Sequence, residues 1–174
     1  MTSSSSSPHP PLATDRLDLR SWSTADAEAV LGDARQAHWA HDFPAEGDRV
    51  IAGLFEQNPA WLGAYGHRLV VERGSGLVVG SVGLFWPPGQ GTVELGYGIV
   101  ASRRGRGYAS EAARALADLA LTVPEVHTVV ATVELSNPAS VRVLEKAGFL
   151  RRSVEDGVAR FGTSAPGRQE SPGA

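Results

Sequence analysis

A turn of composition Arg103-Arg104-Gly105-Arg106-Gly107 separates two patterned segments, and this constrains the chain more than any other feature. Upstream, Val93-Glu94-Leu95-Gly96-Tyr97-Gly98-Ile99-Val100 reads as a strand. Downstream, Ala109, Ala113, Leu116, Leu119 and Ala120 recur at helical spacing. A glycine-rich turn feeding a helix lets the backbone approach a ligand closely. The first free N–H groups of the helix then point at an anion. Arg103, Arg104 and Arg106 add charge-assisted donors that match phosphate geometry. The stretch is therefore expected to hold a phosphorylated ligand.

The rest of the chain supplies the frame around this strand–turn–helix unit. Residues 1–14 and 164–174 are rich in Ser, Pro and Gly without apolar periodicity, and are expected to be flexible tails. Residues 15–163 then form one domain, an ordinary size for a 174-residue chain. Arg16–Arg20 alternates as a short strand, and Ser23 or Thr24 caps a helix to about Ala34. A second helix is expected over Gly47–Gln57, and a hairpin over His67–Arg73 and Leu77–Trp86. The β-branched run Val126–Leu135 reads as a buried strand. Asn137 as N-cap, Pro138 at the first helical position and Gly148 past the end mark a helix of about ten residues. Strands over Leu150–Glu155 and Val158–Gly162 close the chain around Asp156-Gly157. The order βααβββαβαββ implies an α/β chain with a mixed sheet and helices on both faces.

Three segments together resemble the GNAT (N-acetyltransferase) superfamily. The first runs from Glu94-Leu95-Gly96-Tyr97 through Arg104-Gly105-Arg106-Gly107-Tyr108-Ala109 to Glu111-Ala112. The second is Asn137-Pro138-Ala139-Ser140 followed by Val143–Phe149, and the third is the opening Thr14–Arg20. The last is similar to the ribosomal-protein N-terminal acetyltransferase branch. The resemblance covers residues 14–162 and implies the GNAT-like acyl-CoA N-acyltransferase fold, with a central, mostly antiparallel sheet. It implies transfer of an acetyl group from acetyl-CoA to a primary amine on a protein N-terminus or a small molecule. A non-catalytic acyl-CoA-binding or sensing domain on the same fold is the alternative.

The resemblance also assigns roles. The turn from Arg104 through Gly105, Arg106, Gly107, Tyr108 and Ala109 to Ser110 would cradle the CoA pyrophosphate. Leu95, Gly96 and Tyr97 would lie along the pantetheine arm, where the sheet splays and a backbone N–H serves the oxyanion. Gly96 and Gly98 suit a close ligand approach. Asn137 would hold the pantetheine amide or act only as N-cap. Glu94, pointing away from Val93 and Leu95, is the first candidate for a water-mediated base, and Glu134 the second. Family members often carry a tyrosine seven residues after the asparagine, but Leu144 stands there, leaving Ser140 to hydrogen-bond the sulfur. Trp39 and Phe43, between the first two helices, are expected to line the acceptor pocket along with Glu94, and Trp61 and Tyr65 are further aromatic candidates.

Several classes are disfavoured. Net charge is −3 and no cysteine is present, arguing against a nucleic-acid surface, disulfides or a thiol nucleophile. Stacking aromatics are not interleaved with Arg103–Arg106, and no P-loop signature occurs. His38 and His41 lack a third ligand, so no metal is expected. No run of 18–20 apolar residues and no secretory signal pattern is seen, so a cytoplasmic monomer or homodimer is expected, without membrane or nucleic-acid partners.

Overall fold

The computed structural model describes residues 12–32 and 34–165. The remainder of both expected tails lies outside the described residues. Leu12–Ala13, assigned to the tail by composition, forms a two-residue strand, β1, paired with β2 (Leu17–Ser21). Then come α1 (Thr24–Leu31), α2 (Glu46–Leu54), β3 (His67–Glu72), β4 (Leu77–Leu84) and β5 (Thr92–Ile99). They are followed by α3 (Tyr108–Ala120), β6 (Thr128–Glu134), α4 (Pro138–Lys146), β7 (Leu150–Glu155) and β8 (Val158–Ser164).

Local chemistry explains the helix starts. Ser23 Oγ accepts from the Asp26 amide at 3.1 Å while Asp26 accepts from the Ser23 amide at 2.8 Å, a closed capping box for α1. α1 ends at Leu31, short of Ala34, because Gly32 takes the C-cap. Asn137 Oδ1 accepts from the Ser140 amide at 3.2 Å, Pro138 opens α4, and Gly148 at φ 87° follows its end.

The sheet has eight strands in the order β1-β2-β3-β4-β5-β6-β8-β7. Every neighbouring pair is antiparallel except β5–β6, the one pair joined by a helical crossover. Ser81 of β4 pairs with Gly98 of β5, so both lie on one face, where Ser81 bonds Asp48 of α2 at 2.6 Å. Tyr97, next along β5, points to the other face and meets α4. α2 and α4 thus flank opposite faces. Leu17, Leu19, Val70, Val78, Leu84, Leu116 and Leu144 are all at most 1% exposed and fill the two layers. Among the described residues no helix is long and apolar enough to cross a membrane.

Candidate active site

β5 and β6 run side by side only where Thr92–Glu94 faces Thr128–Val130. Beyond that point β5 stays with β4 and β6 with β8, so the sheet opens into a V. The edge of β5 from Leu95 onward faces this opening with no strand partner. Below it runs a groove of about 470 Å³, walled by Tyr97 and Gly98, the turn around Gly105 and Gly107, and one side of α4.

The turn is shaped for an anion. Gly105 and Gly107 have φ of 79° and 83°, a region glycine enters without steric cost. Gly107 is the N-cap of α3 and offers no side-chain cap, so the first amides of the helix remain available. A Cβ on Gly105 would meet no protein atom within 4 Å, so the space above the turn is open. These donors and this clearance fit a phosphate group.

Arg103 and Arg104 line the groove, and all three arginines of the turn also have partners within the protein. Arg104 Nε donates to the Ile99 carbonyl at 2.9 Å. Arg103 Nε lies 3.3 Å from Glu72 Oε2, an ion pair without hydrogen-bond alignment, and Arg106 Nη1 lies 3.5 Å from the same oxygen. Arg106 does not line the groove. Glu72 also accepts from the Tyr108 hydroxyl at 2.7 Å and the Ser75 hydroxyl at 2.6 Å. The Ser75 bond foremost, then Tyr108 and Arg103, hold its carboxyl below the usual range against the opposing effect of burial. From the other side, Arg16 Nη1 donates to the Arg106 carbonyl at 2.7 Å and pairs with Glu111 at 2.8 Å. Glu111, expected only to complement the helix dipole, also accepts from the Thr14 hydroxyl and so anchors the N-terminal segment to the turn. Among the described residues, the groove cations without a side-chain partner are Arg104, whose Nε is on a backbone carbonyl, and Arg142 and Lys146 of α4. Sequence reasoning missed the last two, although their i, i+4 spacing after Asn137 was a usable signal.

Across the groove, Tyr97 Oη lies 2.5 Å from Ser140 Oγ and 3.3 Å from the Ser140 carbonyl. Burial pushes the phenol up, opposed by the Ser140 bond. Asn137 lines the groove while its side chain caps α4, so both roles expected of it are geometrically compatible. Leu95 is 2% exposed and belongs to the core rather than the groove, because it shares the inward face of Val93.

A second cavity of about 450 Å³ lies on the α2 face. His67 pairs with Gly83, and Gly83 with Gly96, so one row of the sheet carries two residues without side chains. The His67 ring fills the space over Gly83, where a Cβ would fall 1.9 Å from Nδ1, and the Phe85 ring lies against Gly96. Asp48, 4% exposed, accepts from the Ser81 hydroxyl at 2.6 Å and the Ala45 amide at 2.8 Å. Burial raises its carboxyl against those two bonds. Burial also pushes the His67 imidazole down to about 4, so the ring is neutral near pH 7. The cavity and the groove share Tyr97, Gly98, Ile99 and Arg104. Sequence reasoning missed Asp48, His67, Ser81 and Phe85, since strand register and the packing of α2 on the sheet bring them together.

Residues 16–150 match the family model for the acetyltransferase (GNAT) domain. The chain belongs to the GNAT acetyltransferase family. This GNAT chain is 34% identical over 135 residues to the uncharacterized N-acetyltransferase YjdG of Bacillus subtilis, covering 77% of this chain and 80% of that protein. It is similar to a putative GNAT-family acetyltransferase structure from Bordetella pertussis, at TM-score 0.64 and 28% identity over 88% of this chain and 98% of that one. It also shares the fold of RimL, a ribosomal L7/L12 alpha-N-protein acetyltransferase solved with coenzyme A, at TM-score 0.62 and 17% identity, over 89% of this chain and 98% of that one. The curated relative and the family description make this GNAT chain an acyltransferase.

Other candidates of this GNAT chain fall outside the two cavities. Trp39 and Phe43 line neither: they are 6% and 1% exposed and pack edge to face at 5.3 Å within the core. Their apolar area outweighs any pocket role, and Trp39 is further held by a bridge to Val78. Trp61 donates to the Trp86 carbonyl and Tyr65 stacks on Trp86, also outside the second cavity's lining. Glu94 is exposed on the Gly96 and Gly98 face, two residues short of Gly96, and accepts from the Thr132 hydroxyl at 3.2 Å. It lines neither cavity. Glu134 is exposed and accepts from the Ser136 hydroxyl at 3.4 Å.

Proposed function

We propose that this chain is an acetyl-CoA-dependent N-acetyltransferase that joins acetyl-CoA and a primary amine in a ternary complex. The observation that carries this is the junction of two cavities at Tyr97, Gly98, Ile99 and Arg104, beside a sheet that has parted. One cavity suits a phosphorylated thioester and the other an amine. Direct attack needs the two to meet, and this is where they can.

The α3 amides and the Gly105–Gly107 turn bind the pyrophosphate, and the free edge of β5 orients the pantetheine arm and supplies the oxyanion donor. CoA brings the thioester chemistry. An amine must be neutral to attack, and lysine titrates near 10.4 and an α-amine near 7.7–8.0, so a proton must be taken. Glu94, on the acceptor face, takes it through water, with Glu134 the second candidate. The acceptor is a peptide N-terminus or small amine that enters the second cavity. At about 450 Å³ this cavity falls within the range typical of small-ligand sites. The position of Glu94 outside both cavities favours the second reading, a CoA-binding domain without turnover.

A thiol-release assay with acetyl-CoA against a panel of peptides and small amines, run beside calorimetry with CoA, separates the two. Release with at least one amine is expected, and Glu94→Gln should lower kcat on the order of 10²-fold while CoA affinity holds. CoA binding without release from any acceptor supports the second reading. Wild-type kcat in Glu94→Gln at every pH removes Glu94 as the base.

A further inference from the structure

The second cavity is poor in usable charge. Val50, Ile51, Phe85 and Ile99 give it apolar walls. Gly83 and Gly96 bring no side chain of their own, and the rings of His67 and Phe85 lie against them. Gly98 is bare: a Cβ there would meet no protein atom within 4 Å, so space is free where the two cavities meet. The polar groups of the lining are engaged or uncharged. Asp48 Oδ1 accepts from Ser81 Oγ at 2.6 Å and Oδ2 from the Ala45 amide at 2.8 Å, and the residue is buried. Burial, opposed by those two bonds, favours its uncharged form. The His67 imidazole is neutral near pH 7. Tyr97 turns its hydroxyl to Ser140 on the other face. Among the lining residues, Arg104 at the junction is left as the exposed charge.

We propose that the acceptor is a small aliphatic monoamine: an apolar chain with one primary amine and no second charge. This rests on the acetyl-transfer function above and names its substrate class. The amine lies at the Gly98 junction, and the chain runs along Ile51, Val50 and Phe85. Beside Arg104 an ammonium is disfavoured relative to a neutral amine, which suits a nucleophile that must be neutral. A second ammonium farther in meets apolar walls and a carboxyl whose two oxygens are already bonded, so it loses hydration without compensation. A distal carboxylate fails in the same way, since Arg104 stands at the reacting end. In the transfer the C–N bond forms, the C–S bond breaks and its electron pair stays on sulfur. The proton shed by the amine reaches the sulfur through solvent. One amine and one thioester give one amide and one thiol, with no further reactant.

Hexylamine and 1,5-diaminopentane make the test, because they match in length and differ in a terminal methyl against a terminal ammonium. Amines of this kind titrate near 10.4, so both ends of the diamine are charged at neutral pH. In the thiol-release assay, kcat/KM for hexylamine should exceed that for the diamine on the order of tenfold, after allowing for its two amines. 6-Aminohexanoate should be disfavoured by a similar factor. Val50→Asp adds a carboxylate to the lining at a residue that is 53% exposed, so folding tolerates it. It should narrow the gap between hexylamine and the diamine about two- to fivefold, the range for exposed ion pairs. Calorimetry on CoA-loaded protein should show hexylamine binding more tightly than the diamine, a reading that needs no turnover. A diamine used as well as hexylamine, a peptide N-terminus preferred to every monoamine, or a ratio unmoved by Val50→Asp would each overturn the substrate class and leave acetyl transfer standing. A protein that binds CoA but releases none with any acceptor defeats the acetyl-transfer function itself, and the substrate class with it.

Discussion

His67 shows how one residue can carry a pH response that composition hides. Its ring lies between Phe55, Trp61 and Phe85 at centroid distances of 5.9, 5.2 and 5.2 Å, and its Nε2 has no partner among the described residues. The imidazole titrates near 6.5 in the unfolded chain and at about 4 when folded. Between those values the unfolded chain binds a proton that the folded chain refuses, so stability rises with pH across the window. The contribution is complete above pH 6.5 and is lost as pH falls toward 4, amounting to about 3 kcal/mol. Urea unfolding of wild type at pH 7 and pH 4.5 should show most of this difference, and His67→Gln should show a visibly smaller one. Equal pH slopes in the two proteins would remove His67 as the cause. From sequence alone, His67 was merely a histidine at the start of a strand. Its environment is set by Gly83 on the next strand, a neighbour that register creates and periodicity does not reveal.

At the scale of elements, legibility followed the range of the determining contacts. α4 was readable at both ends because Asn137, Pro138 and Gly148 act within a few residues of the helix they bound. The turn before α3 was readable in its glycines but not in its arginines. Arg103 and Arg106 turn to Glu72, which reaches them only because β3, β4 and β5 pair in sequence, and Arg104 to the Ile99 carbonyl. Trp39 and Phe43 failed as pocket residues for a similar reason, since a loop aromatic goes wherever the core has room. The turn is thus braced from outside, by Glu72 through Arg103, Arg106 and Tyr108, and by Arg16 through the Arg106 carbonyl. Glu72→Gln preserves the shape and removes the charge. It should cost about 1.5–3 kcal/mol at neutral pH, the range for hydrogen bonds to a charged group. The carboxylate's contribution is present above the ordinary unfolded value near 4.3 and is lost as pH falls through its lower folded value. The destabilisation of Glu72→Gln should therefore shrink toward pH 3 in thermal melts. A difference that stays constant from pH 7 to pH 3 would mean that the charge does not brace the turn.

For the whole molecule, the informative quantity is where charge sits rather than how much there is. The chain is net acidic at −3, so a polyanion such as CoA gains nothing from the average field. Arg103 and Arg106 share the single carboxylate of Glu72, and Arg114 pairs with Asp118. Arg142 and Lys146, one turn apart on α4, face the groove with no side-chain partner among the described residues. The positive charge available to a ligand therefore comes from α4 together with Arg104 of the turn, rather than from the turn alone. If CoA occupies the groove, Arg142→Ala and Lys146→Ala should each weaken it about two- to fivefold at low salt, the range for exposed ion pairs. Arg106→Ala should change CoA affinity less than either, because Arg106 pairs with Glu72 and does not line the groove. At 1 M salt, where screening acts over about 3 Å, the α4 losses should largely vanish. Dephospho-CoA, with one phosphate fewer, should be less sensitive to both α4 variants than CoA is. Calorimetry on the three variants with both ligands, at low and high salt, checks all of this. A ranking with Arg106→Ala as the most damaging change would return the phosphate contacts to the turn.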